Sequence, residues 1–107
     1  MESNYKVLSL PKLDNLQPSI ESTALKLMEE AGELAQAIGK FRGLNGEKVD
    51  MSEKEILDRI SGELLDVAQV AVSMMFVMED TYGVNIDEKV EEHINKLKRK
   101  GYIKLNK

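Results

Sequence analysis

The sequence predicts an all-α fold: a helical bundle of two long helices plus a shorter C-terminal helix, completed by oligomerisation. Three observations lead there. Apolar residues recur at three- and four-residue spacing, residues of capping type and glycines punctuate the ends of these stretches, and no segment alternates with the two-residue period of a strand. A chain of 107 residues allows one domain, here 1–107. Within it, 1–17 read as an irregular N-terminal segment and 102–107 as a basic tail.

The first helix is expected after Pro11 and Pro18, with Pro18 in its first turn, where a missing N–H costs nothing. Ile20, Ala24, Leu27, Ala31, Leu34 and Ile38 form its apolar stripe, Gly43 is its stop, and Leu44 to Met51 form a polar loop. Ser52 and Glu55 stand at capping-box spacing, so a second helix runs from about Glu53 to Tyr82 with Gly83 ending it. Its first half is amphipathic through Ile56, Ile60, Leu64 and Val67. From Val67 to Met78, ten of twelve residues are apolar and cover every side, more than a three-helix unit can bury. A subunit interface through this helix is expected, with Met74, Met75, Phe76 and Met78 as its candidates and a homodimer or homotetramer as its product; the alternative is a central core helix in a monomer. Asn85 with Glu88 opens a third helix from Ile86 to about Lys100, and Gly101 closes it.

Composition excludes several chemistries. Without cysteine there is no disulfide, thiolate zinc site or cysteine nucleophile, and the single histidine, His93, cannot build a histidine-rich metal site. Di-iron carboxylate bundles need Glu-x-x-His pairs, whereas Val90 stands three residues before His93. The net charge of −4 argues against stable nucleic-acid binding. Six basic residues and no acid lie in 96–107, which leaves the rest of the chain near −10. Met1 to Leu10 carry no long apolar run, and Val67 to Met78 are too short to span a bilayer, so a cytoplasmic protein without membrane partners is expected.

The two long helices carry the chemistry. Helix one holds Glu29-Glu30-Ala31-Gly32-Glu33, and helix two holds Glu63-Leu64-Leu65-Asp66. Residues three apart share a helix side, so Glu30 pairs with Glu33 and Glu63 with Asp66, each pair flanking an apolar stripe. Packing the stripes together would gather four acids, an arrangement that raises carboxyl pKa values unless a cation neutralises it. Oxygen-only ligands favour a hard ion, magnesium first and manganese as its substitute. Gly32 and Gly62, each just before an acid, suggest a close backbone approach there. One Glu-x-x-Glu alone is usually a solvated face; two such clusters beside core stripes are not so easily explained.

Glu-Glu-x-x-Glu followed by Glu-x-x-Asp on successive helices resembles the MazG-like, all-α nucleoside triphosphate pyrophosphohydrolases, over about residues 20 to 100. The resemblance implies a magnesium-dependent enzyme that hydrolyses a nucleoside triphosphate to monophosphate and pyrophosphate, with a role in nucleotide-pool house-cleaning, assembled as a dimer or tetramer. By position, the implied metal ligands are Glu30, Glu33, Glu63 and Asp66. Glu29 would be an auxiliary ligand or orient the attacking water, so Glu29 and Glu30 are the catalytic candidates. Among the cations, Lys40 and Arg42 end helix one, while Lys96, Lys98 and Arg99 end helix three. Lys40, Lys96 and Arg99 are the candidate phosphate contacts, although cations at helix C-termini also have a dipole explanation. A base could stack on Phe41, Phe76, Tyr82 or Tyr102, and Asn95 could read its edge. The alternative is a non-catalytic helical oligomer with a regulatory or protein-interaction role.

Overall fold

Local capping sets the boundaries of three helices: α1 (Ile20–Arg42), α2 (Glu53–Tyr82) and α3 (Ile86–Arg99). The structure is a computed structural model that describes residues 4–13, 16–42 and 52–104, and no strand occurs among the described residues. The fold is all-α, as expected. Gly43 and the loop Leu44 to Met51 lie outside the described residues.

At the start of α1, Ser19 and Ser22 exchange reciprocal bonds: Ser22 N–H donates to Ser19 Oγ at 3.0 Å, and Ser19 N–H to Ser22 Oγ at 2.8 Å. Pro18 therefore stands just before the cap instead of within the first turn, because the capping role needs a hydroxyl acceptor that serine supplies. At α2 the capping box forms in full, with Glu55 N–H on Ser52 Oγ and Ser52 N–H on Glu55 Oε1. Its bounds are those the sequence predicts. Asn85 caps α3 by accepting from Glu88 N–H at 3.0 Å. Gly83 and Gly101 take φ of 67° and 77° after α2 and α3, a left-handed turn that side-chain-bearing residues rarely adopt.

The main packing is α1 against α2, and among the described helices α3 touches only α2. The buried positions set the register. Thr23 and Ala37 are buried on α1, and Ile56, Val70 and Val77 on α2. Glu30 lies seven residues from both Thr23 and Ala37, and Glu63 seven from both Ile56 and Val70. Seven residues are almost two turns, so each glutamate occupies a seam position. This corrects two expectations. The acids do not flank the apolar stripes but interrupt them, and the seam is rotated away from Ala31 and Ile38, both of which are exposed. The buried Thr23 hydroxyl donates to Ser19 O and Ile20 O, so the seam can hold it at little cost.

The described residues before α1 form no helix or strand and are tied to α2. Gln69 Nε2 donates to Pro11 O at 2.8 Å, Lys12 pairs with Asp80, and Lys12 Nζ stands 5.7 Å from the centre of the Phe76 ring. By length and composition α2 as a whole is apolar enough to cross a membrane, although its most apolar stretch, Val67 to Met78, is too short to do so alone. A mostly buried core helix has the same composition, but only 17% of the membrane-length window of α2 is buried here: the helix packs one face along α1 and leaves much of its apolar surface uncovered. On its other side Leu64, Leu65 and Met75 are 55%, 49% and 41% exposed, while Met74, Phe76 and Met78 are half-buried.

Candidate functional site

The antiparallel packing of α1 on α2 sets Glu30 across the seam from Glu63. Glu33 follows one turn after Glu30, and the three side chains each bring a carboxylate oxygen within 4.8 Å of the others. The Glu30 side chain is only 12% exposed. Glu63 Oε2 is sealed from solvent and has no hydrogen-bond partner among the described residues. A buried carboxylate oxygen without a partner is costly, and three negative groups at this separation repel one another. The site is therefore formed at an electrostatic cost that a small cation would relieve. All its donors are carboxylate oxygens, which suit a hard divalent ion.

The repulsion registers on Glu30. Its carboxyl is held above the ordinary range, first by desolvation, then by the neighbouring charge of Glu33 and, more weakly, of Asp66. Lys26 offsets part of this: its Nζ lies 3.0 Å from Glu29 Oε1 and 3.8 Å from Glu30 Oε2. In return its own pKa is raised, first by the hydrogen bond to Glu29 and then by the surrounding acids.

The sequence-predicted residues divide into three groups. Glu30, Glu33 and Glu63 converge. Asp66 stands at the edge of that cluster: it is exposed, acts electrostatically on Glu30, and shares a cavity wall with it. Glu29 turns outward to Lys26 and lies outside the triad. The proposed phosphate contacts are not brought to the acids. Lys40 is half-buried near the end of α1, Lys96 and Arg99 are exposed on α3, and none of them lines a cavity with the acids among the described residues. The close approach inferred from Gly32 and Gly62 is also corrected. A Cβ placed on either would meet nothing within 4 Å, because both face open space.

A cavity of about 450 Å³ opens beside Glu30 and Asp66. Lys26, Gln69 and Ser73 line it, and sequence reasoning assigned a role to none of them. The available signal was their spacing: Gln69 and Ser73 follow Asp66 by three and seven residues, and Lys26 precedes Glu30 by four, which places each on the acid-bearing side of its helix. None of Phe41, Phe76, Tyr82, Asn95 or Tyr102 lines this cavity.

Compared with known families, residues 18–101 match the model described as the MazG nucleotide pyrophosphohydrolase domain, which covers all three helices and every motif acid. No curated protein and no solved structure matches the chain.

Proposed function

The chain belongs to the MazG nucleotide pyrophosphohydrolase family, and from that premise we propose that it is a magnesium-dependent enzyme converting a nucleoside or deoxynucleoside triphosphate and water to the monophosphate and pyrophosphate. The observation that carries this reading is the convergence of Glu30, Glu33 and Glu63 in the α1–α2 seam with one buried carboxylate oxygen unpaired among the described residues.

These three side chains would hold the ion, with Asp66 completing the set from the cavity side; manganese would substitute. When bound, a hard divalent cation neutralises phosphate charge and acidifies a nearby water. The residues of the chain do the positioning. Glu29, paired with Lys26 outside the triad, would have to swing inward to orient the water that adds to the α-phosphorus. The α–β anhydride bond breaks, pyrophosphate leaves with the bridging oxygen, and the proton of the water passes to solvent through the rim. Lys26, the one basic residue lining the cavity among the described residues, is placed to contact the phosphates. It replaces Lys40, Lys96 and Arg99 in that role.

The exposed Leu64, Leu65 and Met75 support assembly through α2 as a dimer or tetramer; sedimentation at micromolar concentration should give a species larger than a monomer. The test of activity is a panel of standard and modified nucleoside triphosphates assayed for pyrophosphate. Release with magnesium or manganese, abolished by chelator, is expected. No release from any triphosphate with either ion would leave the non-catalytic oligomer as the reading.

A further inference from the structure

The cavity beside the acids does not end at them. On α2 its wall runs from Asp66 through Gln69 and Val70 to Ser73, a rise of about 10 Å along the helix axis. On α1 it runs from Glu30 through Lys26 to Thr23. The roof is the N-terminal segment, which contributes Leu13 and Leu16. One end is thus acidic and the other apolar, with an amide and a hydroxyl set into it. That is the usual composition of a small-molecule pocket, and about 450 Å³ falls within the common range of roughly 300–1,000 Å³.

We infer that the apolar end of this cavity receives the nucleobase, held between Leu13, Leu16 and Val70, and that Gln69 is the residue that reads the base edge, assisted by Ser73. The inference rests on the reading of the acids as the triphosphate end of the same site. The Gln69 side chain is oriented before any ligand arrives. Its Nε2 is held by Pro11 O at 2.8 Å and lies 3.5 Å from Ser73 Oγ, while its Oε1 has no hydrogen-bond partner among the described residues. A fixed amide carbonyl is an acceptor for a ring N–H or an exocyclic amino group, and the Ser73 hydroxyl can donate or accept beside it. With no aromatic ring on the cavity wall, base faces meet aliphatic side chains, so discrimination falls to these two polar groups. Because Pro11 anchors the amide, the N-terminal segment is a wall of the specificity pocket and helps to aim the residue that reads the base.

The test uses the full chain in chelator, with binding of the four nucleoside monophosphates measured for each variant. Wild type should rank them by base. Gln69→Leu should flatten that ranking by roughly tenfold, the worth of one hydrogen bond in a dry site, and Ser73→Ala should flatten it less. Both variants should keep the magnesium-induced rise in melting temperature. Lys54→Ala removes only an exposed ion pair with Asp58 in the first turns of α2, away from the cavity, and should keep the ranking. Equal flattening in Lys54→Ala, or an unchanged ranking in Gln69→Leu, would overturn the assignment. Base discrimination that depends on Gln69 in a protein releasing no pyrophosphate would uphold the pocket and sink the enzymatic reading instead.

Discussion

Two layers of the α1–α2 seam, two turns apart, occupy equivalent positions and do opposite things. At one, Ala37 and Ile56 are 1% and 7% exposed and contribute burial. At the other, Glu30 and Glu63 occupy the same helical register and contribute charge, with Glu33 beside them. The backbone treats the layers alike, because the seven-residue spacing fixes which side chains point inward regardless of their chemistry. What differs is the sign of the contribution to stability. The apolar layer favours folding, while the acidic layer opposes it unless a cation neutralises its charge. A site placed in the seam, instead of on its rim, gains rigid positioning from the same packing that it weakens.

Substitutions at the two layers should separate these roles, with the largest effect at the apolar one. Ile56→Ala leaves a cavity in the seam and should cost about 2–5 kcal/mol of stability, with or without divalent ions. Chemical denaturation measures it directly, and a cost below about 1 kcal/mol would mean that this layer is not a true core. Glu63→Gln should have the opposite sign in chelator. Removing one of three crowded charges raises the melting temperature, whereas the magnesium-dependent rise, which for a bound ion at a hundred times its dissociation constant is worth about 2.7 kcal/mol, disappears. Pyrophosphate release should fall by roughly a hundredfold or more. A Glu63→Gln protein that keeps both the metal response and the activity would break the comparison.

How much of this was legible follows from the range of each interaction. The bounds of α2, the Asn85 cap and the two glycine stops were readable, because Ser52 with Glu55 and Asn85 with Glu88 act within one turn. The acid pairs were readable for the same reason. Their place in the seam was misread, since a stripe drawn through Ala31 and Ile38 follows hydrophobic residues, whereas burial follows Thr23, Glu30 and Ala37; the seven-residue spacing could have shown it. The roof of the cavity was out of reach. Pro11 with Gln69 and Lys12 with Asp80 are 58 and 68 residues apart, and no periodicity encodes such pairings. What the basic residues of α3 reach was not legible, because charge is visible in a sequence while the helix it meets is not; among the described helices α3 packs on α2 alone.

The smallest effect contrasts two carboxylates that titrate in opposite senses. Desolvation and the charges of Glu33 and Asp66 raise the Glu30 pKa in the folded protein. Between the unfolded and the raised value the folded state holds more protons, so this group makes metal-free stability fall as pH rises through that window. Glu55 is the reverse: bonds with Ser52 lower its pKa, so its contribution is complete above the ordinary carboxylate range and is lost as pH falls through the lowered value. Melting temperature against pH in chelator should therefore show a shallow maximum shaped by both groups. Glu30→Gln should remove part of the fall on the high side, and Glu55→Gln part of the loss on the acid side. Each should leave the other limb unchanged, because the groups stand at separate sites, one inside the seam and one on an exposed cap. Saturating magnesium should abolish the Glu30 limb alone. If magnesium flattened both limbs equally, its action would be a general screening of negative charge and not occupancy of the seam.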